Sequence, residues 1–399
     1  MKHLATACLL TVFLFYAPPA LPKEVVTGRF YPEKQNYLVG EPIIVDLEIV
    51  NGSSRVGELG ETNCPSLNRW RFEVDGATPK KDTAPFTCAH GSNIVDCLVG
   101  ARPIPAHGKY VRRLLLNGPF SLNVPGTYHV RAKFDQNITT GSSYKILAHL
   151  LVESEFDVML RAPQKGELEV AYKPFLDDLL RGKDYEIQAF AASAITQNPP
   201  PFAEAAITDL IGNPVLTGIG LEGLGRLATS TARARLTEAS TIGPEEFRQP
   251  AIKALGEAGN PEDCRTLLDI ASQNKYYTQE EAYVFAGRVC RDQAIPALSR
   301  LLSDADEQLS TSVATALENT SSRYAVPPLI GLLTNADKSI LDSAEEALAT
   351  LTHRKSRYGV ASKDSSYESR FAWWYWWATN RDTAPIYGPD QCIDPQPLP

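Results

Sequence analysis

Phe247-Arg-Gln-Pro-Ala-Ile-Lys-Ala-Leu-Gly-Glu-Ala-Gly-Asn-Pro-Glu-Asp263 carries the decisive pattern of this chain. Phe247, Ala251, Ala254 and Leu255 keep one helical face, with Arg248, Lys253 and Glu257 on the others. Asn260-Pro261 then breaks the helix, and Glu262-Asp263 charges the start of the next one, as the helix dipole favours. The unit recurs every 31 residues. Leu224-Gly225, Leu255-Gly256 and Ala286-Gly287 fall at equivalent places and are followed by Leu317 and Leu348. A second column of Leu236, Leu267, Leu298 and Leu329 keeps the same spacing. A repeat of this length means stacked helical hairpins, none able to bury its apolar face without its neighbours. Further breaks are expected at Asn198-Pro199, Thr229-Ser230 and Thr320-Ser321. The glycines of the first column are poor helix formers and read as small residues where helices cross closely.

Residues 247–263, and Leu221-Glu-Gly-Leu-Gly-Arg-Leu-Ala-Thr-Ser-Thr-Ala-Arg-Ala-Arg-Leu236 before them, resemble HEAT repeats of the short bacterial kind. The likeness extends more loosely to 295–317 and 326–348, with departures at Phe285 and Cys290. It implies an α-solenoid whose inner helix face binds partners.

Upstream, the period changes to two. Val45, Leu47 and Ile49 alternate with Asp46 and Glu48; Trp70, Phe72 and Val74 alternate with Arg71 and Glu73; Tyr128, Val130, Ala132 and Phe134 alternate with His129, Arg131 and Lys133. Such runs are strands with one wet face, and Gly40, Asn51-Gly52, Asp75-Gly76, Asn117-Gly118-Pro119 and Pro125-Gly126 punctuate them as turns. An immunoglobulin-like antiparallel β-sandwich is expected. Residues 37–51 and 120–130 resemble strands of bacterial extracellular β-sandwich modules.

Lys2 and His3 precede an apolar run from Leu4 to Ala17, with small residues at Ala17-Pro-Pro-Ala20, which reads as an export signal. The run falls short of the ~20 residues that a spanning helix needs. The expected organisation is a signal peptide at 1–22, a β-sandwich at 23–160, a HEAT-like α-solenoid at 161–355, and an aromatic-rich cap and tail at 356–399. The protein is expected to be secreted or periplasmic, with no transmembrane segment after signal removal. Six cysteines then remain, an even number that suggests disulfides. Cys264 opens the first helix of a hairpin and Cys290 closes the second, so a staple between them is predicted. Cys88 with Cys97 could close a small loop, leaving Cys64 and Cys392 as a further candidate pair.

Net charge is -8, and its placement is uneven: 14 basic and 13 acidic residues lie in 24–153, against 23 and 34 in 154–399. No basic stripe suits a nucleic acid. Gly218-Ile-Gly-Leu-Glu-Gly223 matches a dinucleotide fingerprint literally, yet no strand–helix–strand pattern surrounds it. The histidines lack metal-ligand spacing, and no nucleophile constellation is present, so no catalytic residue, metal or cofactor is expected. Acid pairs such as Glu345-Glu346 read as solvated helix surface.

Two groups remain as candidate contact residues. Arg226, Glu257 and Arg288 share one repeat position, and Glu222 and Lys253 share another. Stacked about 10 Å apart, they form either an inter-repeat salt-bridge ladder or a partner-binding surface. In the last helix, Tyr367, Phe371 and Trp374 fall on one face and suit a plug for the open end of the repeats. That would leave Trp373, Trp376 and Trp377 outside it, as an exposed aromatic cluster. The function expected is therefore an exported, non-enzymatic scaffold that binds a protein or peptide through the solenoid surface. The alternative is an inhibitor or ligand-binding module acting through the β-sandwich loops around Cys64–Cys97.

Overall fold

The alternating runs of the first half form strands, as the computed structural model shows. It describes residues 26–62, 70–79, 99–140, 145–182, 184–272, 276–302, 307–335, 337–356, 363–389 and 395–398. The strands are β1 (Val26–Pro32), β2 (Asn36–Leu38), β3 (Ile44–Asn51), β4 (Gly57–Thr62), β5 (Trp70–Val74), β6 (Thr78–Pro79), β7 (Val99–Ile104), β8 (Lys109–Leu115), β9 (Phe120–Ser121), β10 (Gly126–Thr140) and β11 (Lys145–Arg161). One sheet runs β1-β3-β8, all antiparallel. A second runs β2-β11-β10-β4-β7, with β5 also on β10; it is antiparallel except where β2 joins β11 in parallel. A short β6-β9 ladder stands apart. Apolar side chains from both sheets meet in one core, Val45, Leu47 and Ile49 of β3 against Val130, Phe134, Val152 and Val158. The turn at Asn51 is held from inside: the side chain is 1 % exposed, and its amide donates to Arg55 O at 2.8 Å.

The second half is helical: α1 (Glu167–Arg181), α2 (Tyr185–Gln197), α3 (Glu204–Leu210), α4 (Thr217–Leu227), α5 (Ser230–Thr241), α6 (Glu245–Ala258), α7 (Cys264–Ala271), α8 (Tyr276–Cys290), α9 (Ile295–Leu301), α10 (Glu307–Asn319), α11 (Val326–Leu332), α12 (Lys338–Thr352) and α13 (Lys363–Asn380). The predicted breaks fall at helix ends. Asn198 follows α2, the Thr229 hydroxyl caps α5 by accepting from Ala232 N, and Asn260 accepts from Glu262 N ahead of α7. Gly218 to Gly223 lies inside α4, so that glycine pattern is helix interior rather than a phosphate-binding turn.

Helices pack as consecutive pairs, α3 on α4, α5 on α6, α7 on α8, α9 on α10 and α11 on α12. The second member of each pair also packs on the next, giving the row α2-α4-α6-α8-α10-α12. The first glycine column marks the crossings within this row. A Cβ on Gly225 would sit 2.8 Å from Ala254 O, one on Gly256 would enter the Phe285 ring, and one on Gly287 would run into Ala316 O. Phe285, bulkier than the repeat pattern suggests, thus fills the space that Gly256 leaves open.

A charged link ties one pair to the next. Arg233 of α5 donates to Asp263 Oδ1 at 2.7 Å and to Glu262 Oε2 at 2.5 Å, and Asp263 is 3 % exposed. Removing the guanidinium strands a buried carboxylate, so Arg233→Leu is expected to cost on the order of 3 kcal/mol in denaturant unfolding. Adding Asp263→Leu should recover most of that loss, because both charges are then gone.

The halves meet around Tyr172 of α1, which is fully buried, its hydroxyl shared between Gly40 O (2.8 Å) and Asn198 O (2.9 Å). Ile44 of β3 joins the helical core, and Arg113 of β8 stacks on Phe190 of α2. Arg161, the last residue of β11, grips Glu167 of α1 with two hydrogen bonds of 2.7 and 2.8 Å. That guanidinium and the Gln164 backbone N–H hold the Glu167 carboxyl down at about 2.

Candidate functional site

The five charged residues singled out from the repeat lie on the row of long helices. Glu222 and Arg226 are on α4, Lys253 and Glu257 on α6, and Arg288 on α8. Two of these helices, α4 and α6, pair their own charges: Arg226 lies 3.5 Å from Glu222, and Lys253 lies 3.8 Å from Glu257. These i,i+4 pairs leave both ends half-exposed, with side-chain exposures between 29 and 46 %. Such pairs contribute a few tenths of a kcal/mol, ~0.3–0.5. Arg226 also donates to Thr196 O of α2 at 3.2 Å, and Gln249 of α6 bonds Glu281 of α8 at 2.7 Å. Arg288 is exposed.

At the far end of the row the glycine column gives way to a carboxylate. Glu318 of α10 stands one repeat after Gly287, where α10 meets α12. Burial, and then the nearby Glu346 carboxylate, push it up to about 7, while a hydrogen bond with Thr350 opposes the shift. The folded state therefore binds this proton more tightly than the unfolded chain does. Its contribution to stability is greatest below pH 4.5 and declines as pH rises through the window up to about 7. Glu318→Gln is expected to flatten that decline. Thermal midpoints of both forms between pH 4.5 and 8 check it, and identical pH profiles would refute it.

The last helix inverts the expectation for its aromatic residues. Trp373 is fully buried, Trp376 is 6 % exposed, and Trp377 packs against the helical core; Trp373 and Trp376 meet edge to face at 5.8 Å. Tyr367, Phe371, Trp374 and Tyr375 are instead 60 to 71 % exposed. The three tryptophans are thus the plug rather than the contact cluster, and the face assigned to the plug looks outward. The docked stripe meets Glu345 of α12, which is not solvated helix surface. Its carboxylate accepts Trp373 Nε1–H at 2.8 Å, the Ser369 hydroxyl at 3.0 Å and Ser356 N–H at 2.8 Å. Burial raises its pKa, and these three donors partly offset the rise. Trp374 on the opposite face carries the same ring N–H, so sequence periodicity holds no trace of which tryptophan meets this carboxylate.

The tail completes this end. Residues Arg354–Lys355 pair in parallel with Gln396–Pro397, Leu398 is buried in the helical core, and Tyr387 stacks on His353 at 3.6 Å.

Cys264 and Cys290 stand at disulfide distance, Cα atoms 5.0 Å apart, one at the start of α7 and the other at the end of α8. Cys64, Cys88, Cys97 and Cys392, with the loops between Cys64 and Cys97, lie outside the described residues. Among the described residues, no three His, Cys, Asp or Glu side chains gather as a metal would require, and no helix is long and apolar enough to cross a membrane. Compared with known proteins, the chain matches no family and none of the curated sequences.

Proposed function

We propose that this chain is an exported, non-enzymatic binding scaffold: a β-sandwich followed by an α-solenoid of HEAT-like hairpins that engages a protein or peptide partner. The observation that carries the reading is the surviving half-exposed charge on one row. Glu222, Arg226, Lys253, Glu257 and Arg288 recur at repeat positions on three successive helices of a single stack. A continuous core from Tyr172 to Leu398 holds these helices in one stack. Mixed charges held at repeat spacing suit a partner with complementary charges, for which they set orientation and specificity. The Cys264–Cys290 pair fits an oxidising compartment.

Affinity capture from an envelope fraction tests the reading, with the intact chain against a form carrying Arg226→Ala, Lys253→Ala, Glu257→Ala and Arg288→Ala. A partner captured by the first and lost at least ~10-fold by the second supports it. Equal capture by both forms refutes the row as the site.

A further inference from the structure

The exposed face of α13 is a seam of its own. Ser369, Trp373, Trp376 and Asn380 form its inner stripe, stepping by four, three and four residues. Tyr367, Phe371, Trp374 and Ala378 step identically, each two residues earlier. Two residues turn a helix by about 200°, so the second stripe is nearly opposite the first. Steps of four and three are those of the core positions of a coiled coil. The inner stripe is fixed by Trp373 and Glu345, so α13 cannot roll to bury the outer one.

We propose that the outer stripe of α13 pairs with the same stripe of a second copy of this chain, the two helices running parallel. The charges beside the stripe choose this occupant. Arg370 stands on one flank, and Glu368 and Tyr375 on the other. A two-fold axis along the helices sets the Arg370 flank of each copy against the Glu368 and Tyr375 flank of the other. Each guanidinium then meets a carboxylate and a ring face, twice over. An antiparallel pairing would instead set like flanks together, the two Arg370 on one side and the two Glu368 on the other. Ala372, between Glu368 and Trp376, keeps a shallow depression of about 530 Å³ open beside Tyr367, Phe371 and Tyr375, with room for a neighbouring side chain.

The area sets the strength. Four rings of roughly 150–250 Å² each, about two-thirds exposed, offer about 500 Å² per copy. Two copies bury about 1,000 Å², the low end of specific interfaces, which describes a reversible dimer rather than an obligate one. Such a pair would place two charged rows in one particle and add avidity for a partner that spans both.

Sedimentation velocity of the full chain over a concentration series, in wild type and Phe371→Glu, tests the pairing. Phe371 is 66 % exposed, so its replacement should leave the circular dichroism and the unfolding midpoint unchanged. Wild type should pass from monomer to dimer with rising concentration, and the variant should weaken the dimer by at least ~30-fold. A wild type that stays monomeric at the highest soluble concentration overturns the proposal and leaves the stripe to an occupant of other chemistry. So does a dimer that Phe371→Glu does not weaken. Orientation is read from Ala378→Cys, which should give a covalent dimer under mild oxidation that the wild type does not form. A dimer that Phe371→Glu disrupts but Ala378→Cys fails to crosslink overturns the parallel arrangement. This outcome is independent of the capture experiment, since none of the four charged-row substitutions lies on α13.

Discussion

Trp373→Ala is expected to lower stability by about 4 kcal/mol, the upper range for emptying a buried aromatic site. The ring is fully buried, meets Trp376 edge to face, and closes the end of the helical core. Its loss also removes one of three donors to Glu345, whose carboxyl burial already raises, so ionising that group becomes harder still. Trp373→Phe separates the two effects. It keeps most of the packing and loses only the N–H, for an expected cost of about 1–3 kcal/mol. Denaturant unfolding with hydrogen exchange on α12 and α13 reads both. If Trp373→Ala instead costs less than Trp373→Phe, the ring is not the plug.

Gly287→Val should cost about 3 kcal/mol, at the top of the typical range for overpacking. The atom in the way is the Ala316 carbonyl oxygen of α10. A flexible side chain would yield, but a helix backbone yields only if the α8–α10 crossing widens, and that loosens every contact along it. Gly331 is the control. It lies inside α11 with nothing within 4 Å of an added Cβ, so Gly331→Ala should stabilise by about 0.5–1 kcal/mol through helix propensity. Unfolding midpoints of the two variants should therefore move in opposite directions. If both move down together, the crossing is not what the glycine column serves.

The two results bear on function through geometry. The charged row has a fixed pitch only while the crossings hold, and the α13 seam faces outward only while Trp373 is docked. On the proposed scaffold reading, a variant at either place should disturb binding without touching the charged row, whereas substitutions on the row or the seam should disturb binding with little change in stability.

Some of this was written in the sequence alone. The strand runs of β3, β5 and β10 show in strict alternation, because a strand turns successive side chains to opposite faces. The helix breaks at Asn198, Thr229 and Asn260 show in capping chemistry, which is local. The Cys264–Cys290 pair follows from their places at the two ends of one helix pair, and the close crossings from a glycine repeated every 31 residues. The ion pairs were only half legible. Repeat spacing put Arg226, Glu257 and Arg288 on one row, but the chain pairs Arg226 with Glu222 and Lys253 with Glu257, because an i,i+4 neighbour on the same helix is nearer than one on the next. Arg233 and Asp263, thirty residues apart, gave no local sign of meeting.

The last helix and its place as a plug could be read, but not the face that docks. Residues 371–377 are aromatic save for one alanine, so two opposite stripes look equally apolar. Periodicity fixes which residues share a face; it does not fix which face docks. The face that docks is the one whose tryptophans enter the helical core and whose Ser369 and Trp373 reach a carboxylate on another helix. Glu345 is half-buried, Ser369 and Trp373 of the docked stripe donate to it beside Ser356 N–H, and docking that stripe turns Tyr367, Phe371 and Trp374 outward.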